Sequence, residues 1–152
     1  VKLLLDTSVW IEHLRHAVLG ELVAPMRGRF QLRLDVVVAS ELRAGCRTKR
    51  ERRVVNALCA PHERADRLLC PERGDFERAA SALSRLRERG RPISGRQAAL
   101  LDALIVSIAA REGALLVTSN LSDFQALAPE LSAHVEGFER FRRRLLSDAP
   151  RP

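Results

Sequence analysis

The sequence predicts an α/β domain with a central parallel sheet flanked by helices. Two observations carry this. Short apolar runs of strand length recur at intervals: "KLLLD" (2–6), "RFQLRL" (29–34) and "ALLVT" (114–118). Between them lie longer stretches with apolar residues at helical spacing, which is the alternation that gives a parallel sheet. The chain of 152 residues is long enough for one well-cored domain and too short to expect two. We assign residues 1–148 to that domain and "APRP" (149–152) to a loose tail, with no internal repeat.

The first run ends at a polar break, Asp6, and reads as a buried strand. "TSVWIEHLRHAVLGEL" (7–22) reads as one helix with Val9, Trp10, Leu14, Ala17 and Val18 on its apolar face. Thr7 or Ser8 is available as its N-cap, and Glu12 to complete the cap. Residues 29–34 alternate as a second strand, after which Asp35 is placed to cap a helix carrying Glu41; the β-branched Val36–Val38 also suit a strand. "RTKRERRVVNAL" follows as a charged amphipathic helix and "DRLLCP" as a short strand stopped by Pro71. In "DFERAASALSRLRERG" the spacing sets Phe76, Ala79, Ala80, Leu83 and Leu86 on one face, with Gly90 as terminator. Ser94 and Gln97 match a capping box for the next helix, and Gly113 suits its end. After strand 114–118, "SDFQAL" starts a short helix, "HVEGF" a last strand, and "ERFRRRLLSD" a basic terminal helix.

Hydrophobic residues make up 46% and charged residues 30%, ordinary for a soluble globular protein. No apolar run approaches a membrane span and no secretory signal opens the sequence, so the expected location is the cytoplasm. Cys46, Cys59 and Cys70 form no CxxC pair and are odd in number, which reads as buried reduced thiols. The four histidines show no HExxH-like spacing, which argues against zinc. The net charge is +7, and only Lys2 and Lys49 of the basic residues are lysines. Arginine forks match phosphate oxygens, so a polyanion is the favoured partner, although a solvated, arginine-biased surface has the same composition. The clusters at 85–91 and 139–144 are candidates to guide such a backbone.

The acids are more specific. Ligands of open parallel sheets sit beyond the carboxyl ends of the strands. Asp6 ends the first strand, Glu41 lies in the helix after the second, and Asn120 and Asp123 follow the strand at 114–118. Asp102 falls about two turns into the helix that Ser94 would cap, at the edge of a stripe centred on Leu101, Leu104, Ile105 and Ile108. Each acid alone has a structural explanation as a cap or a solvated side chain. Gathered at one sheet edge, two such charges about 5 Å apart repel by roughly 3 kcal/mol at an effective dielectric near 20. Mg²⁺ or Mn²⁺, which take oxygen ligands, offset that repulsion and assist phosphodiester hydrolysis. The inference from the residues is a metal-dependent nuclease.

At these residues the chain resembles the PIN-domain ribonucleases, and within them the VapC-type toxins of toxin–antitoxin pairs. "LLLDTSVWIE" is similar to the family's first motif, with Asp6 at the first acid position and Ser8 at a supporting hydroxyl; "VVVASELRAG" places Glu41 at the family glutamate. "LLDALIVSIAAREGALLVTSNLSDF" is similar to the third and fourth motifs, with Asp102 at the third acid and either Asp123 or Asn120 at the fourth site. The resemblance implies a PIN-like fold and Mg²⁺-dependent endoribonuclease activity, with Mn²⁺ also supporting it. It further implies a homodimer, an RNA substrate and inhibition by a small antitoxin protein. Asp6, Glu41, Asp102 and Asp123 would be the catalytic, metal-binding set, with Asn120 a further ligand candidate and Ser8 and Thr118 orienting the ligands.

An idle PIN fold serving as an RNA-binding or regulatory module is the alternative. A signalling receiver domain would need a lysine after a later strand, and Lys2 and Lys49 are misplaced for it. A dehalogenase-like phosphatase would need a second aspartate two residues after Asp6, where Ser8 stands.

Overall fold

Five parallel strands form one sheet in the order β3-β2-β1-β4-β5. The computed structural model describes residues 1–91 and 95–148. The strands are β1 (Lys2–Leu5), β2 (Gln31–Asp35), β3 (Leu68–Leu69), β4 (Leu115–Thr118) and β5 (His134–Gly137). The helices are α1 (Thr7–His16), α2 (Val23–Met26), α3 (Val36–Ala44), α4 (Lys49–Arg64), α5 (Arg73–Glu88), α6 (Arg96–Glu112), α7 (Leu121–Leu131) and α8 (Phe138–Ser147). The α/β class and parallel sheet expected from the sequence are those observed. Among the described residues no helix is long and apolar enough to cross a membrane.

The apolar strands lie at the centre because both sheet faces are covered. Leu3, Leu4, Leu5, Leu116 and Val117 are buried, and Ile105 and Ile108 of α6 join them in the core. β1 pairs with β2 on one side and β4 on the other, Leu4 standing opposite Arg33 and Leu116. The order runs outward from β1 through β2 to β3, then from β4 to β5. The direction reverses between β1 and β4, and the crevice at such a reversal is where parallel sheets bind ligands.

Several local expectations change. The helix foreseen over 7–22 stops at His16, where Ala17 turns left-handed at φ 53° and donates its N–H to His13 O. A 3-10 turn (Gly20–Leu22) and α2 follow. The break returns Leu19 and Leu22 to the core, which a straight helix would not do, and leaves Leu14 exposed. Neither Thr7 nor Ser8 caps α1; Asp6 does, accepting from Ser8 N. Asp35 caps α3 as expected, accepting from Val37 N at 2.7 Å and Val38 N at 3.0 Å. Ser94 lies outside the described residues, as do 149–152, and Gly95 at φ 77° precedes α6. Gly113 closes α6 in the left-handed region as foreseen.

The core face of α5 is also rotated from the expected one. Asp75, Ala79, Ala82 and Leu86 are buried, while Phe76 is exposed. Asp75 is tolerated there because donors surround it: Glu72 N, Arg78 Nη2, Ser107 Oγ and Arg111 Nε lie 2.6–3.1 Å from its oxygens. These bonds and charges hold its carboxyl below the usual range against the cost of burial. The network ties α5 to α6, the helix that carries Asp102. The cysteines are unpaired; Cys59 is buried, Cys46 half-buried and Cys70 exposed, so the expected burial fails for Cys70, which follows β3 at the sheet edge.

Candidate active site at the strand reversal

Asp6 sits where β1 meets α1, beside the end of β4. Its N–H donates to Val117 O at 2.9 Å, which ties it to β4 across the reversal. Its Oδ2 accepts from Ser8 Oγ at 2.6 Å and Thr118 Oγ1 at 3.0 Å. Ser119 N donates to Ser8 Oγ and Asn120 N to Thr118 Oγ1, both at 3.0 Å, so the loop after β4 is strapped to the same hydroxyls. No described side chain donates to Asp6 Oδ1, although the residue is 5% exposed.

Glu41 is half-buried on α3 and accepts from Thr7 Oγ1 at the start of α1. Burial raises its pKa, opposed by the Thr7 bond and reinforced by the charge of Asp6. Asp102 lies in the second turn of α6, half-buried as the helical angles foresaw. Its carboxyl is pushed up to about 7, first by desolvation and then by the negative charges of Asp6, Glu41 and Asp123. Asp123 stands in the first turn of α7 and does not cap it; the N-cap position is Asn120, whose side chain makes no capping bond. The fold therefore brings Asp6, Glu41, Asp102 and Asp123 into one electrostatic neighbourhood. Among the described residues none of these four carboxylates forms an ion pair, while fourteen ion pairs form elsewhere.

A fifth acid belongs here, and sequence reasoning saw it only as a cap. Continuing the β1–β2 register two places past Leu4 and Arg33 sets Asp35 beside Asp6. Asp35 is 1% exposed, and its Oδ2 has no hydrogen-bond partner among the described residues. Its carboxyl is pushed up to about 6 by desolvation, with the charges of Glu41 and Asp6 adding to the rise against the two helix N–H groups. The available signal was positional: Asp6 and Asp35 each end a strand and open a helix.

The donor set is chemically suited to a hard divalent cation. It is all carboxylate, it lacks a described basic partner, and it leaves a buried oxygen orphaned. The side chains are not in coordinating positions as they stand: among the described residues no group of three or more His, Cys, Asp or Glu is placed to hold a metal ion. The hydrogen bonds explain this, since Glu41 is turned toward Thr7 and Asp6 Oδ2 toward Ser8 and Thr118.

The basic clusters singled out in the sequence are largely spent on ion pairs. Arg85 and Arg89 both engage Glu130, Arg142 engages Glu21, and Arg140 and Arg144 engage Glu136. An open groove of about 550 Å³ instead runs from Glu41 between α1, α3 and α4, past Leu14, Gly45, Arg50 and Val54.

The chain matches the family model described as PIN domain over residues 3–128. No curated protein matches it. Among solved structures it is similar to a chain of VapBC-1 from nontypeable Haemophilus influenzae. That match has a TM-score of 0.69 and 20% identity, covering 91% of this chain and 99% of that one. A chain of VapBC2 from Rickettsia felis, solved bound to a promoter DNA fragment, gives a TM-score of 0.70 at 18% identity, with coverages of 91% and 99%. VapBC-5 from Mycobacterium tuberculosis gives 0.60 at 23% identity, with coverages of 90% and 96%. At such identities these structures speak for the fold alone. The family model spans every residue of the acidic pocket, and on that match the chain belongs to the PIN-domain family.

Proposed function

We propose that this protein is a metal-dependent endoribonuclease of the VapC toxin type, acting in the cytoplasm and held inactive by a small antitoxin protein. The observation that carries the reading is Asp102: a half-buried carboxyl pushed up to about 7 by three other acids at the strand reversal, on top of its desolvation. A purely structural pocket has no reason to keep that repulsion uncompensated. Asp6, Glu41 and Asp102 would hold Mg²⁺ or Mn²⁺, with Asp123 or Asn120 completing the set. Such a cation, when bound, offsets the carboxylate charge and stabilises negative charge developing on phosphate oxygens.

The chain's own residues do the positioning. Ser8 and Thr118 fix one oxygen of Asp6 and leave the other free of described donors. Thr7 holds Glu41 at the pocket rim, and turning that bond away is the rearrangement ligation requires. Orientation of ligating carboxylates by neighbouring hydroxyls is the usual support for such sites. The groove beside Glu41 supports the partner reading. Its walls expose Ile11, Leu14 and Val54, the kind of surface on which an amphipathic segment docks, and a segment lying there would cover Glu41. A homodimer is part of the same reading, checked by sedimentation of the purified protein.

The test is cleavage of a labelled stem-loop RNA with and without Mn²⁺. Wild type is expected to cleave only with the cation, and Asp6→Asn or Asp102→Asn to lose at least about a hundredfold while keeping the wild-type fold. Full Mn²⁺-dependent cleavage by Asp102→Asn overturns the proposal. The alternative, an idle PIN fold that binds RNA without cutting it, draws on the engagement of Glu41 by Thr7; RNA binding with no cleavage at any Mn²⁺ concentration would select it.

A further inference from the structure

We infer that the N-terminal turns of α4 form the track on which a single-stranded RNA backbone reaches the acidic pocket. This rests on the proposed nuclease reading and names a surface that reading leaves open. An acidic pocket repels the phosphates it must receive, so cations are needed close to its rim. Arg47, Lys49, Arg50, Arg52 and Arg53 place five positive charges within seven residues, interrupted by Thr48 and Glu51. All five are exposed, and among the described residues none of them forms an ion pair.

Their position is as telling as their charge. Arg50 and Val54 line the groove that begins at Glu41, and Arg15 of α1 stands on its other wall. At about 100° per residue, Lys49 and Arg53 lie on the solvent side of Arg50, extending a positive stripe along the groove's edge. The segment is held in place by a capping box in which Glu51 N donates to Thr48 Oγ1 at 3.1 Å and Glu51 accepts from Thr48 N at 3.0 Å. The only acid in the stretch is thereby turned to its own backbone, including Arg47 N at 2.7 Å. The contrast with α5 and α8 decides between surfaces. There, Arg85 and Arg89 converge on Glu130, and Arg142 and Arg144 on Glu21 and Glu136, so their charge is already answered. Of these three helices, α4 alone joins unanswered cations to a groove that ends at a carboxylate of the site, as far as the described residues go.

The experiment measures binding without cleavage: anisotropy of a fluorescein-labelled 12-nucleotide single-stranded RNA, in EDTA, across salt concentrations. The variants are Lys49→Gln/Arg50→Gln/Arg53→Gln and, as comparison, Arg85→Gln/Arg89→Gln. Each phosphate contact contributes about 0.7 to the slope of log K against log salt for single strands, so the α4 variant should lose about 2 from that slope. At about 0.1 M salt its binding should weaken on the order of a hundredfold. The α5 variant should change the slope by less than the roughly 0.7 of one contact. Glutamine suits exposed helix positions, and a thermal melt shows that both variants fold. An unchanged slope in the α4 variant, with wild-type binding intact, assigns the stripe to protein contacts and overturns the proposal, as does an equal loss in the α5 variant. Absence of RNA binding by the wild type would instead remove the substrate class itself, and the track with it.

Discussion

Replacing Asp102 by asparagine should stabilise the cation-free protein at alkaline pH, an unusual sign for a buried-site substitution. The wild-type carboxyl is raised from 3.8 to about 7 by desolvation and by Asp6, Glu41 and Asp123. A group whose folded pKa is raised binds its proton more tightly in the folded state. Folding stability is therefore lost as pH climbs from about 4 to about 7 and stays lost above. At full weight a rise of that size is about 4 kcal/mol, and solvent screening of a half-exposed side chain reduces it to roughly 1–2 kcal/mol. The asparagine side chain keeps the shape of the aspartate and carries no charge. In EDTA at pH 8, Asp102→Asn should melt about 3–6 °C above wild type, and near pH 4 the two should coincide. Differential scanning calorimetry at both pH values measures this. A variant less stable than wild type at pH 8, or a gain equal at both pH values, would refute the claim that charge repulsion governs the site.

Other outcomes follow from the same geometry. Mg²⁺ or Mn²⁺ should raise the wild-type melting temperature more at pH 8 than at pH 5, because protonated carboxyls ligate poorly; roughly a tenfold excess over Kd adds about 1.4 kcal/mol, and Asp102→Asn should show less of it. Asp75→Ala should cost about 3 kcal/mol in urea unfolding, since it leaves Arg78, Ser107 and Arg111 without the carboxylate they share. Ile105→Ala, at a fully buried core position, should cost about 3–4 kcal/mol through cavity formation, read by the same unfolding curve. Gly113→Ala should lower stability by about 1 kcal/mol, because φ 59° is strained for a residue with a side chain.

The sheet was legible because apolar strands buried on both faces read as continuous runs, and "LLL" and "LLV" carry little else. The end of α1 was not. Ala17 has no local signal for a left-handed turn, and the break there is driven by Leu19 and Leu22 seeking the core from another direction. The face of α5 was misread for a related reason. A periodicity reading puts Phe76 inside and Asp75 outside, yet three donors from two helices make the aspartate the better core residue. At the pocket, order along the chain pointed to Asp6, Glu41 and Asp102, since strand ends in a parallel sheet converge. That Thr7 holds Glu41 and that Asp35 stands beside Asp6 depend on side-chain direction and register, which no single segment encodes.

The pairing of β1 with β4 has a consequence for how the protein comes into being. Asp6 is strapped by a hydroxyl 112 residues downstream, and its strand lacks one neighbour until that segment exists. A ribosome delivering the chain from its N-terminal side thus releases Asp6, Asp35 and Glu41 early, on a half-built sheet; Asp102 follows on α6, and Asp123 emerges only after β4. Truncated products would carry Asp6 and Glu41 without the pocket. Closure over so long a separation is also slow, which sets an interval between synthesis and a finished site.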